Sequence, residues 1–365
     1  MGITDCADIA KLVDAMDHLN ILATLSPQDI PQATYDIEVL KVHLENNRKH
    51  IWALTTDSKN LKYQLEMMAA LAGGSTQLQQ RPICSGIVCL IDPLYFPDDE
   101  IERLLLYGQH KLPVRVPLCP IVGANAPYTL AGAVVQANAE ALGSLTLLQT
   151  LCPGIPTWYY PIVQLMDMRR GVVESANPEA LLIFNALCCM ARHYGVPSIG
   201  SGMISSGCQP LQTMFERGAG ITAIALAGIS ELGGIGGLEG GMMVSPIAIA
   251  IDHELIAFVK RILKGICFDE DALATEAINR VGHSGNYMED WHTLHHLRKE
   301  ERFQASLLAA VPYGEWKEDP RTIYDRAGEQ ITRIMHNHEV PPLDPGLQKE
   351  LDTILSAAKK DIGVK

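Results

Sequence analysis

The chain has no excess of positive charge. Its 29 Lys and Arg are outnumbered by 42 Asp and Glu, giving a formal net charge of −13. Nucleic acids and anionic membranes both reward basic patches, so neither is an expected partner. A cationic substrate is compatible with such a balance. No uncharged apolar run reaches the roughly 18 residues of a membrane span, and the most apolar stretch, Ile221 to Ile229, is too short. Met1 to Lys11 lack the basic stretch and apolar core of a secretion signal. The nine cysteines are scattered, with neither zinc-ribbon spacing nor the density of a disulfide scaffold, which fits a reducing cytoplasm. No Gly-Lys dipeptide occurs, excluding an ordinary phosphate-binding loop. The nearest approach to a dinucleotide fingerprint, Gly233 to Gly241, comes late and has Glu239 where the third glycine belongs.

What is present is a series of short apolar runs at about the spacing of one strand-helix unit. They are Ile21–Leu25, Ile51–Thr55, Ile83–Ile91, Val114–Cys119, Thr157–Val163, Val196–Gly200 and Ala223–Ile229, with a weaker eighth near Asn286–Met288. Helix-start chemistry lies between them, as in Asn177-Pro178-Glu179 and Ser245-Pro246, and glycines stand at the expected stops, Gly73, Gly195 and Gly265. The pattern predicts an α/β fold, a (β/α)8 TIM barrel over residues 1–290 with a charged C-terminal helical extension over 291–365.

In such a barrel, function sits in the loops after the strands. The loop after the fourth run offers Asn125 and Tyr128 and leads into a helix carrying Gln136, Asn138 and Glu140; a helix cap with a polar outer face is the plainer reading. Strand alternation lets Trp158 and Tyr160 share one face, where aromatic rings could hold a quaternary ammonium group or simply pack against helices. Asp167 follows them. After the sixth run, Gly202, Met203 and Ile204 lie in a glycine-containing loop. After the seventh, Glu231 and Glu239 flank glycines that include Gly236 and Gly237, a density hard to explain by packing alone. His292, His295 and His296 have the spacing for two metal ligands on one helix face. Without a third ligand or a suitably spaced cysteine, a solvated helix is the safer reading and no metal is expected.

The strings GANAPYTLAGAVVQANAE (123–140), MDMRRG (166–171), GGLEGG (236–241) and His292-Thr293-Leu294, and the segment His338 to Asp344, resemble the trimethylamine methyltransferase family in content and order. The resemblance implies a (β/α)8 barrel that moves a methyl group from a methylated amine to the corrinoid (cobalamin) of a separate corrinoid-binding protein. No cofactor would then be held tightly by this chain. It also implies that the pyrrolysine of some members falls near Met203 or Ile204; only standard residues stand here, which points to a quaternary amine such as glycine betaine. On that reading Trp158, Tyr160, Asp167, Glu231, Glu239, Asn125 and Tyr128 would face substrate, and Gly202, Met203, Ile204, Gly236 and Gly237 the corrinoid. No catalytic residue is assigned, because a quaternary nitrogen leaves without a general acid. Family members carry a further N-terminal region, so a shortened chain is expected, and a homo-oligomer is compatible with the sequence. Two other readings stay open: a phosphate-handling barrel, disfavoured by the lack of lysine in the strands after position 50, and a non-catalytic relative that only docks the corrinoid protein.

Overall fold

Helix starts follow side chains able to accept a backbone N–H. Asp57 accepts from Lys59 and Asn60, Asn177 from Ala180 and Ser245 from Ala248, with Pro178 and Pro246 in the first turns. Gly73 and Gly195 end their helices in the left-handed region, at φ +85° and +67°. The computed structural model describes residues 1–202, 207–299 and 302–364.

Four strands, β1 (Ile21–Ala23), β2 (His50–Ala53), β3 (Cys84–Ile87) and β4 (Val114–Arg115), pair in parallel and in chain order. The register runs through Ile21–His50, Ile51–Cys84 and Gly86–Val114. The series continues by single parallel bridges, Val114 to Thr157, Leu118 to Pro161 and Tyr159 to Ser198, and then as the paired strands Ile199–Gly200 and Glu231–Leu232. Helices follow the segments and cover the outer face, so even central positions are buried on both sides; β3 is buried throughout. At Gly86 a Cβ would sit 2.2 Å from the Tyr107 ring, so glycine sets how closely the covering helix approaches.

The architecture is mixed α/β, but the ring is not closed. Among the described residues no ladder joins Glu231–Leu232 to β1. A cavity of about 410 Å³ lies in that interval, lined by Ile21, Trp158, Glu231, Leu232, Val259 and Lys260 among others.

Two expected strands are corrected. Residues 223–226 of the Ala223–Ile229 run belong to the helix Pro210–Leu226, where Ile221, Ile224 and Ala225 are buried at helical spacing. An apolar run this short fits either period, and Pro210 in the first turn decides for helix. The seventh strand falls just beyond, at Glu231–Leu232. Asn286–Met288 forms no strand, and Met288 is 84% exposed.

At the carboxyl ends of the strands, Gln164–Asp167 pairs with Ile121–Val122 and with its hairpin partner Val172–Glu174. A second hairpin joins Gly237–Leu238 to Met243–Val244. The last two helices, Ile323–Asn337 and Pro345–Ile362, return to the strand-helix body, burying Ala327 in one core cluster and Leu351 and Ala358 in another. Asp14 ties this return down: His338 Nε2 lies 2.8 Å from its carboxylate, which also accepts from Arg48. Burial would raise the Asp14 pKa, but the hydrogen bonds from Arg48 and His338 hold it below the usual range. No helix among the described residues is long and apolar enough to cross a membrane.

Candidate functional site

Inside the ring of strands lies a cavity of about 280 Å³ whose walls include Trp52, Arg115, Tyr160, Ile162, Ser201 and Glu231. Its organising residue is Arg115 on β4, 2% exposed. Arg115 Nε donates to Ser85 Oγ at 3.0 Å, and Nη1 pairs with Glu231 Oε1. The guanidinium carbon is 4.5 Å from the centre of the Trp158 ring and 5.7 Å from that of Trp52. Trp52 in turn meets Tyr160 edge-on at 6.3 Å. Arg115 Nη2 is buried with no hydrogen-bond partner among the described residues, although buried guanidinium nitrogens ordinarily find one. Burial raises the Tyr160 hydroxyl pKa, with Arg115 opposing, and drives His50 down to about 4, with Arg115 adding to the effect, so both are neutral at pH 7.

Trp158 of the fifth segment therefore does lie against a cation, and the cation belongs to the protein; Tyr160 meets Trp52, the other ring beside it. Alternation holds: Tyr159, between Trp158 and Tyr160, points outward and its hydroxyl donates to Asn138 at 2.9 Å. Arg115 and Trp52 were not singled out from the sequence. The available signal was a charged residue inside the apolar run Val114–Cys119, since a buried charge needs a partner.

A second polar group joins the loop after β3 to the interior face of the helix Leu130–Leu151. Asp92 accepts from the Cys119 N–H at 2.9 Å, and Glu140 accepts from Gln136 at 3.0 Å and from the Leu94 N–H at 3.3 Å. Burial, then the hydrogen bond and charge of Asp92, lifts the Glu140 pKa to about 7. The neighbouring Asp92 carboxylate thus favours the protonated form of Glu140. Glu140 is thus interior, with 1% exposure, and not part of a polar outer face.

Asn125 serves this framework. Its side chain accepts the Ile121 N–H at 2.5 Å and its carbonyl accepts from Gln136 at 2.9 Å. Tyr128 is 69% exposed and stands over Gly123, where a Cβ would come within 2.9 Å of its ring. Asp167 caps its own hairpin turn, accepting the N–H groups of Arg169 and Arg170 at 2.8 and 3.3 Å. Glu239 is exposed on a short 3-10 turn. Among the expected substrate residues, Glu231 is the one carboxylate that lines the cavity around Arg115 with Tyr160 and the neighbouring one with Trp158; Asp167 and Glu239 occupy separate loops.

The glycines expected to face a corrinoid are explained by packing. A Cβ on Gly202 would lie 2.4 Å from Ile224 Cδ1, and one on Gly236, at φ +72°, would lie 2.4 Å from Ile249 Cγ1. The Gly236 N–H donates to Asp252 at 2.7 Å, and the Gly237 carbonyl accepts from Arg217. Met203 and Ile204 lie outside the described residues. The third ligand that sequence spacing did not supply to the histidines is present in space: Asp271 joins His292 and His296.

This is an α/β scaffold with a buried, ring-lined, charge-paired cavity. Residues 2–363 match the trimethylamine methyltransferase (MTTB) family, and the chain belongs to it. It is 30% identical over 366 residues to the trimethylamine methyltransferase MttB of Methanosarcina barkeri, covering 98% of this chain and 72% of that one. It is 28% identical over 365 residues to the glycine betaine methyltransferase of Desulfitobacterium hafniense, covering 99% and 76%. The crystal structure of the hydroxylamine complex of MtmB shares the fold, with a TM-score of 0.50 at 13% identity over 90% of this chain and 69% of that one. A methyltransferase is the enzyme class these relatives support.

Proposed function

We propose that the chain takes a methyl group from a quaternary amine that also carries a carboxylate, a betaine, and passes it to the corrinoid of a separate carrier protein. The scaffold is read as an opened (β/α)8 barrel over residues 1–290, with 291–365 as its extension. The single observation behind the substrate class is the unpartnered Nη2 of Arg115 beside the Arg115–Glu231 pair. A zwitterion matches that pair charge for charge: its carboxylate can accept from Nη2, while its ammonium group meets Glu231 and the ring faces. A simple tetraalkylammonium ion offers nothing to Nη2 and adds uncompensated charge to a buried site.

Trp52, Trp158 and Tyr160 would exclude water and hold the N-methyl group in line for displacement. The corrinoid, when docked, supplies a strongly nucleophilic reduced cobalt. As the N–C bond breaks, its electron pair stays on nitrogen, so a neutral tertiary amine leaves and no residue need donate a proton. The mouth suits a protein partner. Leu94, Tyr128, Met168 and Met242 project from the loops after the third, fourth, fifth and seventh strand segments and are all more than 60% exposed. Exposed apolar side chains grouped round an opening mark interaction surfaces. Asp167 and Glu239 would border that surface.

Calorimetry with glycine betaine and tetramethylammonium tests the substrate class. At least about tenfold tighter binding of the betaine is expected, because truncating one good charge-assisted hydrogen bond costs more than 1.4 kcal/mol. Equal affinities would remove the role of Arg115. Release of dimethylglycine in the presence of a reduced corrinoid protein tests turnover; complex formation without release would favour the docking-only reading.

A further inference from the structure

We propose a divalent-metal site of the zinc class, made by Asp271, His292 and His296, that clips the segment between residues 264 and 322 into shape. His292 and His296 are one turn apart on the helix Trp291–Arg298, and Asp271 comes from the short helix Glu270–Leu273. One ligand atom from each of the three lies within 4.8 Å of the others. The imidazole centres are 4.1 Å apart, and His296 Nε2 is 3.6 Å from Asp271 Oδ1. Lys299 holds the other carboxylate oxygen at 2.8 Å, leaving Oδ1 turned towards the rings. The His-bearing helix is itself fixed: Asp290 caps it through the His292 N–H at 2.9 Å and pairs with Arg280.

Donors around a tetrahedral zinc stand about 3.3 Å apart when bonds are about 2.0–2.2 Å. The three groups therefore need to close by roughly an ångström, within reach of side-chain rotation on a half-exposed surface. Two imidazole nitrogens and one carboxylate oxygen form a set that zinc accepts, with water as fourth ligand. A second observation gives the metal a purpose. Among the described residues from 264 to 322, only Ala277 and Leu307 are buried, so the segment has almost no core of its own. Chains this poor in apolar burial are commonly held by a metal or another cross-link. None of the three ligands lines the cavity around Arg115, so the site is structural and independent of the methyl-transfer reading.

The test uses full-length protein stripped with a chelator and titrated with Co²⁺, whose visible bands report coordination, and with Zn²⁺ by calorimetry. One ion per chain is expected, together with slower protease cleavage between residues 264 and 322. His292→Ala and His296→Ala should each weaken binding about 100-fold, as loss of one of three protein ligands demands. Asp271→Asn, which keeps the side-chain shape, should weaken it less, and His283→Ala not at all. Absence of one-to-one binding in the parent protein would overturn the proposal. So would unchanged binding in the His292→Ala/His296→Ala double variant, or binding that leaves cleavage in the segment unchanged.

Discussion

Two of the arginines sunk in this molecule, Arg217 and Arg115, are each paired with a carboxylate, one inside the core and the other on a cavity wall. Arg217 and Asp252 are wholly enclosed and also hold the backbone of the glycine loop at Gly236 and Gly237, while Arg217 Nε and Asp252 Oδ1 have no hydrogen-bond partner among the described residues. Arg115 and Glu231 instead line a cavity, with the Arg115 guanidinium against two indole rings. A sealed pair can only hold structure, whereas a pair on a cavity wall can exchange part of its interactions for those of a ligand. The first therefore defines how the loop is built, and the second what the loop surrounds.

The largest effect is expected from Asp252→Asn. It leaves Arg217 as a buried cation without compensation, a loss of about 3–5 kcal/mol, read by urea denaturation, with faster hydrogen exchange at the Gly236 amide. Glu231→Gln should cost less, about 1–2 kcal/mol, because Arg115 keeps Ser85 and its indole neighbours and the cavity admits water. Its signature is functional: betaine affinity should fall well beyond the change in stability. Equal stability losses in the two variants would erase the distinction.

Which parts of this were legible in the sequence follows from how local the signals are. Asn177, Ser245 and Gly195 act on their own helices, so caps and stops could be read directly. Alternation correctly grouped Trp158 with Tyr160. The run 223–229 was ambiguous because an unbroken apolar run of seven residues fits either period, and only packing against the strands decides. Arg115, Trp52 and Asp271 escaped notice for another reason. Each gains its role from residues distant in the chain, Arg115 from Glu231 and Asp271 from His296, and no spacing rule reports such meetings. Asn125 and the glycines at 202 and 236 stood in the right loops but are explained by framework and packing.

The Asp92–Glu140 carboxyl pair gives a further case, in which the interior partner Glu140 is titratable. Glu140 has a raised pKa, so between the ordinary carboxylate range and about pH 7 the folded chain binds a proton that the unfolded chain has lost. Stability should therefore decline as pH rises through that window. Glu140→Gln, which can donate to Asp92 without titrating, should flatten the decline and stabilise the protein at pH 8 by about 1 kcal/mol. Parallel stability-pH curves for parent and variant would show that Glu140 does not titrate with a raised pKa in the folded chain.

The smallest effect on stability is expected at Glu239, and it sharpens the contrast between the sealed pair and the loop it supports. Glu239 belongs to the same glycine-rich stretch as Gly236 and Gly237, but it is exposed and holds none of the loop's anchoring hydrogen bonds. Glu239→Gln should shift stability by no more than about 0.5 kcal/mol and leave betaine binding intact. If the carrier protein docks over this rim, the variant should instead change the salt dependence of that association, since rim charges act mainly on encounter. A stability loss comparable to that of Asp252→Asn would mean that the loop is held from its tip as well as from its base.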